Sequence, residues 1–156
     1  MQLTRSADYA VRVVIHLAAL PPGSRATRET LAGLAEVPPE FLGKVLQVLT
    51  KAGLIISHRG SQGGFELARP AASLTMLDVV TAIEGPIKLN LCLATGEPCK
   101  RSWWCGAHEV WKSAQEAMTQ VLANATIEEL AKQSIARLNA GRLSQIDVDV
   151  EGAAWN

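Results

Sequence analysis

Thr27-Arg28-Glu29-Thr30-Leu31-Ala32-Gly33-Leu34-Ala35-Glu36-Val37-Pro38-Pro39-Glu40-Phe41-Leu42-Gly43-Lys44-Val45-Leu46-Gln47-Val48-Leu49 holds two short helices and the break between them. Thr27 is a hydroxyl residue ahead of a helix predicted over 28–35, placed to cap its free amides. Glu36-Val37-Pro38 interrupts the pattern. Pro39 suits the first turn of a second helix, which runs to about residue 52. Phe41, Leu42, Val45, Leu46, Val48 and Leu49 form its expected buried stripe. Gly53 stands where a helix C-terminal glycine belongs. Two short helices across a three- to four-residue break read as a helix-turn-helix.

The flanks extend that reading. Residues 54–58, Leu-Ile-Ile-Ser-His, are β-branched and strand-like. Arg59-Gly60-Ser61-Gln62-Gly63-Gly64 is a glycine-rich turn, and Phe65-Glu66-Leu67 returns until Pro70 ends it. A hairpin directly after the second helix of the motif is a wing. Upstream, residues 6–20 have an apolar face at helical spacing, stopped by Pro21-Pro22-Gly23. Downstream, 75–84 is a short amphipathic helix ended by Gly85-Pro86. A long helix follows over 106–123, with Val110, Trp111, Ala114, Ala117, Met118, Val121 and Leu122 near a heptad seam. Thr126 with Glu129 forms a capping box for a last helix to about residue 139. The expected fold is mainly α with a small β-hairpin: a winged helix-turn-helix plus a long carboxy-terminal dimerisation helix. Residues 1–70 form the head and 71–140 the segment with the cysteine loop and dimer helices. Residues 141–156 lose periodicity and read as a flexible tail.

Net charge is zero over 156 residues, but it is unevenly placed. Residues 1–70 carry eight Lys/Arg against five Asp/Glu, and residues 71–156 carry seven against ten. The head is therefore the half suited to phosphate. No apolar run is long enough to span a bilayer, and the polar start after Met1 is not a secretory signal, so a cytoplasmic protein without membrane contact is expected. Gly63-Gly64 lacks the Lys-Ser/Thr pair of a phosphate loop. No Ser/His/Asp set, no His-Glu-x-x-His and no paired carboxylates suggest an enzyme.

On the outward face of the second motif helix lie Glu40, Gly43, Lys44 and Gln47. Glu40 suits a cytosine amino group, and Lys44 suits guanine or phosphate. Arg28, opening the first motif helix, is placed for backbone phosphate. Ser61 and Gln62 at the wing tip are secondary DNA contacts. A double-stranded operator and a second copy of this chain are the implied partners, because two half-sites are read by two-fold dimers.

All three cysteines fall in Cys92-Leu-Ala-Thr-Gly-Glu-Pro-Cys99-Lys-Arg-Ser-Trp-Trp-Cys105, with His108 three residues on. In a reducing compartment such a group is a metal or redox site. A structural zinc site would show a Cys-x2–4-Cys knuckle, and no two cysteines here are that close. A thiol switch, with Lys100 and Arg101 lowering a thiol pKa, is the third reading. Trp103 and Trp104 either shield the site from water or plug the groove beside the dimer helix.

Several stretches together carry a family resemblance. They are Met1 to Arg12, the wing over 54–65 with Arg59-Gly60 and Gly63-Gly64, the three cysteines, Trp111, and Thr126-Ile-Glu-Glu-Leu130. Across about residues 1–135 the chain resembles the bacterial iron–sulfur regulators of the IscR, NsrR and RirA type. The resemblance implies a winged-helix homodimer and transcriptional regulator, expected to repress, that senses nitric oxide, redox state or iron and cluster status. It implies an iron–sulfur cluster held by Cys92, Cys99 and Cys105. The first cysteine gap is one residue longer than the five and five usual in IscR-type sequences. For the fourth ligand, His108 resembles the histidine of the [2Fe-2S] branch. Asp8 resembles the aspartate that another branch brings from the partner subunit to a [4Fe-4S] cluster. The longer loop and the Asp8-Tyr-Ala-Val-Arg12 start favour Asp8 and [4Fe-4S] over [2Fe-2S]. Arg59 resembles the family's minor-groove arginine. A zinc-binding or cluster-free thiol-switch regulator is the alternative.

Overall fold

The computed structural model describes residues 3–60, 63–93 and 99–152, with side chains as far as residue 140. Six α-helices and one antiparallel hairpin follow in the order α1 (Arg5–Ala18), α2 (Arg28–Leu34), α3 (Pro39–Lys51), β1 (Ile55–His58), β2 (Gly64–Leu67), α4 (Met76–Glu84), α5 (Gly106–Asn124) and α6 (Ile127–Gly152). This is the expected winged helix-turn-helix with a long helical extension.

Local chemistry sets the helix starts. The Thr27 side chain accepts a hydrogen bond from the Thr30 backbone N–H at 3.2 Å, and Thr4 caps α1 in the same way. Thr75 and Asp78 make a reciprocal capping box on α4. Pro39 opens α3 at a position where its missing N–H costs nothing. Between α2 and α3 the chain makes a Schellman turn. Val37 N–H bonds Ala32 O at 3.1 Å, Glu36 N–H bonds Gly33 O at 3.3 Å, and Glu36 takes a left-handed φ of 50°.

The wing pairs Ile55 with Leu67, Ile56 with Glu66, Ser57 with Phe65 and His58 with Gly64. A third extended residue, Ala26, exchanges two backbone hydrogen bonds with Phe65, at 3.1 and 2.8 Å. Gly64 makes this approach possible, because a Cβ there would lie 2.8 Å from the Ala26 carbonyl oxygen. The wing is thus anchored to the segment that leads into α2.

One apolar core gathers Ala10, Val13, Val14 and Leu17 of α1, Leu31 of α2, and Leu42, Val45, Leu46 and Leu49 of α3. Leu74, Val79 and Ile127 join the same cluster. Leu74 O accepts from Ile127 N–H at 2.8 Å, and Ala125 O accepts from Met76 N–H at 2.9 Å. The start of α6 is therefore stitched to the head.

Three sequence expectations are corrected. Phe41 and Val48, expected in the α3 stripe, are 46% and 38% exposed. They lie on the flank of that stripe, where the Phe41 ring stands 5.9 Å from that of Tyr9 between centroids. The final helix does not end near residue 139 but continues to Gly152. Loss of apolar periodicity removes a packing face, yet no proline follows to end the backbone hydrogen bonding. The first helix closes at Ala18, two residues before its predicted end.

Candidate nucleic-acid interface and cysteine segment

The α3 helix buries Leu42, Val45, Leu46 and Leu49, so Glu40, Lys44, Gln47 and Lys51 stand together on its exposed face. Glu40 and Lys44 are placed as the sequence suggested. Lys51 was missed, although its spacing of seven from Lys44 carries the signal. Arg59 is exposed at the end of β1, beside the turn glycine Gly60. Ser61 and Gln62 lie outside the described residues. Behind the wing tip, His58 Nε2 and Glu66 Oε1 are 2.6 Å apart, and Arg25 Nε lies 3.5 Å from Glu66 Oε2. The hydrogen bond with His58 holds the Glu66 carboxyl below the usual range, with Arg25 adding to the effect.

Arg28 takes a more specific position than the sequence implied. Its Nη2 donates to the Pro39 carbonyl oxygen at 2.8 Å, tying the start of α2 to the start of α3. Its guanidinium lies against Gly43, where a Cβ would come within 2.9 Å of Nη2. A mid-helix glycine costs about 1 kcal/mol relative to alanine, and here it leaves room for that guanidinium. A cleft of about 450 Å³ opens between α3 and the wing, lined by Arg28, Gly43, Leu46, Gln47, Lys51 and Phe65 among others.

Asp8 sits in the first turn of α1 with its side chain 63% exposed. Arg12 Nη2 donates to Asp8 Oδ2 at 2.8 Å, and Arg12 Nη1 donates to Ala35 O at 2.8 Å and Glu36 O at 3.4 Å. The guanidinium also lies 5.0 Å from the Tyr9 ring centroid. Arg12 therefore caps the C-terminus of α2 from outside and joins Asp8 to the helix-turn-helix turn. Sequence reading missed this role, because the residues that Arg12 joins are more than twenty positions apart.

Cys92, Cys99 and Cys105 are half-buried free thiols. Cys92 lies in a single 3₁₀ turn over Leu91–Leu93, and Cys105 is the N-cap of α5. His108 N–H donates to Cys105 O at 2.9 Å, one turn into α5. The His108 Nδ1 atom is buried without a hydrogen-bond partner among the described residues. Such an orphaned nitrogen is uncommon and suits a ligand role. The donor set of three thiols and an unpaired imidazole nitrogen fits an iron–sulfur group chemically. Among the described residues, however, no three His, Cys, Asp or Glu side chains converge on one point. Trp103 and Trp104 are 84% and 60% exposed in the single chain and stand edge to face at 6.4 Å.

No helix of the described residues is long and apolar enough to cross a membrane. Val110, Trp111 and Val121 of α5 are exposed, as are Ile135 and Leu138 of α6, and α5 buries none of its residues.

Comparison with known proteins agrees with this architecture. The Rrf2 family model, described as an iron-dependent transcriptional regulator, matches residues 3–133. A putative HTH-type transcriptional regulator of Mycobacterium tuberculosis, Rv1287, is 32% identical over 131 residues, covering 84% of this chain and 81% of the relative. Protein aau3 of Rhizobium meliloti is 37% identical over 134 residues, covering 85% and 86%. Among solved structures, CymR of B. subtilis, called the global cysteine regulator, superposes with a TM-score of 0.71 at 27% identity, covering 85% of this chain and 98% of CymR. IscR of T. potens gives 0.69 at 23% identity, covering 86% and 88%, a likeness of fold alone. The family model and Rv1287 are both described as transcriptional regulators rather than enzymes, and with the family model spanning more than four-fifths of its length, this chain belongs to the Rrf2 family of DNA-binding transcriptional regulators.

Proposed function

We propose that the protein is a cytoplasmic homodimeric repressor whose operator affinity is set by an iron–sulfur cluster on Cys92, Cys99 and Cys105. Residues 1–70 read DNA, residues 71–140 sense and dimerise, and the remaining residues form a tail. The observation that carries the reading is the segment running into α5 with its three half-buried free thiols, Cys92, Cys99 and Cys105. When bound, the cluster supplies iron and sulfide that react with nitric oxide and oxidants and that depend on iron supply. The apolar face of α5 supports the dimer, since Val110 and Val121 are 67% and 69% exposed in the single chain.

The fourth ligand is Asp8 of the partner subunit, giving a [4Fe-4S] cluster. Its exposure on α1 suits an approach from outside the chain. Arg12 holds both Asp8 and the α2–α3 turn, so drawing Asp8 away changes the hold on the turn that aims α3. On DNA, Glu40 and Lys44 meet base edges, and Arg59 enters the minor groove, with Ser61 and Gln62 beside it. Arg28, seated against the start of α3, adds a further DNA contact beside them.

The orphaned His108 Nδ1 favours a second reading of the fourth ligand, in which His108 completes a [2Fe-2S] site. The likeness to CymR, named a cysteine regulator, favours a regulator without a cluster whose thiols respond directly. One preparation separates these. Protein purified without oxygen should be brown, with about four irons and matching sulfide per chain. Asp8→Ala should then alter the spectrum and shorten the cluster's lifetime, while His108→Ala leaves both unchanged. The opposite pattern assigns His108. A colourless protein with neither iron nor sulfide ends the cluster reading, and stoichiometric zinc in it would select the zinc alternative.

A further inference from the structure

Arg28 and Gly43 form a unit that the local pattern of neither helix explains. Three guanidinium atoms of Arg28 crowd the place where a residue-43 side chain would begin. A Cβ there would lie 2.9 Å from Nη2, 3.4 Å from Cζ and 3.7 Å from Nη1. Gly43 follows Glu40 by three residues and precedes Gln47 by four, so these three positions are neighbours on the surface of α3. The guanidinium from α2 thus occupies the surface site that α3 leaves bare, between two of its exposed side chains. The Pro39 carbonyl fixes it from the helix start at 2.8 Å, its one hydrogen bond among the described residues.

We propose that Arg28 is a base-reading residue that completes the α3 surface from outside the helix, and that it selects a guanine in each half-site. The proposal rests on the reading of the α3 face as the operator-binding surface. Base edges are met by the N-terminal part of a recognition helix, and Arg28 is held over that part. A guanidinium carries five N–H donors in a rigid plane, and one is used by Pro39. The rest of the fork matches guanine O6 and N7, which both accept. Being held in place before DNA arrives, the side chain loses less freedom on binding than a loose surface arginine does. Gly43 is the permissive partner, since any side chain at 43 displaces the fork from this seat.

The test uses the full-length dimer and short duplexes with a randomised centre, from which the wild-type protein selects its preferred operator. Dissociation constants are then measured for every single-base change in one half-site, with wild type, Arg28→Lys, Arg28→Gln and Gly43→Ala, at several salt concentrations. Wild type should lose about tenfold or more on replacement of one particular G·C pair. Arg28→Lys, which keeps the charge but not the fork, should lose that preference while other positions keep theirs and the salt slope is unchanged. Gly43→Ala should weaken the same preference. Thermal midpoints within a few degrees of wild type establish that the variants are folded. If Arg28→Gln instead weakens all duplexes by one factor and reduces the salt slope by about one, Arg28 is a phosphate contact and the proposal is wrong. Unchanged affinities throughout also overturn it. A pool that yields no preferred operator removes the reading surface itself, and the proposal with it.

Discussion

At the scale of single residues, backbone positions decide how the motif is held. Glu36 adopts φ 50° in the turn between α2 and α3, a conformation that glycine accepts more easily than a residue with a Cβ. Glu36→Gly should therefore raise stability by up to about 1 kcal/mol, read as an increased urea midpoint. A fall would show that the Glu36 side chain contributes more than its strain removes. His16, in the last turn of α1, has its imidazole pushed below the ordinary value of 6.5, first by burial and then by the nearby Arg12 guanidinium, with Glu36 opposing. In the unfolded chain this group binds its proton at higher pH than in the folded one. Its contribution is thus present above about pH 6.5 and is lost as pH falls toward the folded value. The thermal midpoint should drop between about pH 6.5 and 5, and His16→Gln should drop less. Equal drops would remove His16 as the cause.

At the scale of elements, the helices and wing were legible because their signals are local. Thr27, Thr75 and Pro39 mark starts within one turn of themselves, and the buried leucines of α3 repeat at helical spacing. What the sequence did not disclose joins distant positions. Arg12 caps α2 across twenty-three residues, and Ala26 pairs with Phe65. Neither leaves a periodic trace. The flank residues Phe41 and Val48 fell to the same cause, since which side of a helix lacks a neighbour depends on the rest of the fold. The α5 stripe was legible as apolar, and the single chain leaves its Val110, Trp111 and Val121 exposed. Val121→Glu should convert a dimer to a monomer in sedimentation and weaken binding to a two-half-site operator by more than about tenfold. A variant that remains dimeric would move the interface elsewhere.

At the scale of the whole molecule, one core links the ends of the chain. Ile127 has no exposed surface and packs with Leu74, Val79 and the α1 valines, although it belongs to the carboxy-terminal helix. Ile127→Ala should cost about 2–5 kcal/mol and lower the unfolding midpoint of the head itself. A head that unfolds at its wild-type temperature would contradict the shared core. In the candidate site, the thiols and His108 were legible as residue types, and the orphaned Nδ1 appeared only in the folded chain. In the proposed mechanism the cysteine segment and the DNA-reading head act as one switch. The most direct measurement is the operator dissociation constant of one anaerobic preparation, before and after its cluster is removed by a chelator under reducing conditions. We predict that the two constants differ by more than about a hundredfold. Equal constants, with the cluster shown to be present in one sample and absent from the other, would contradict a coupling between cluster and DNA-reading head.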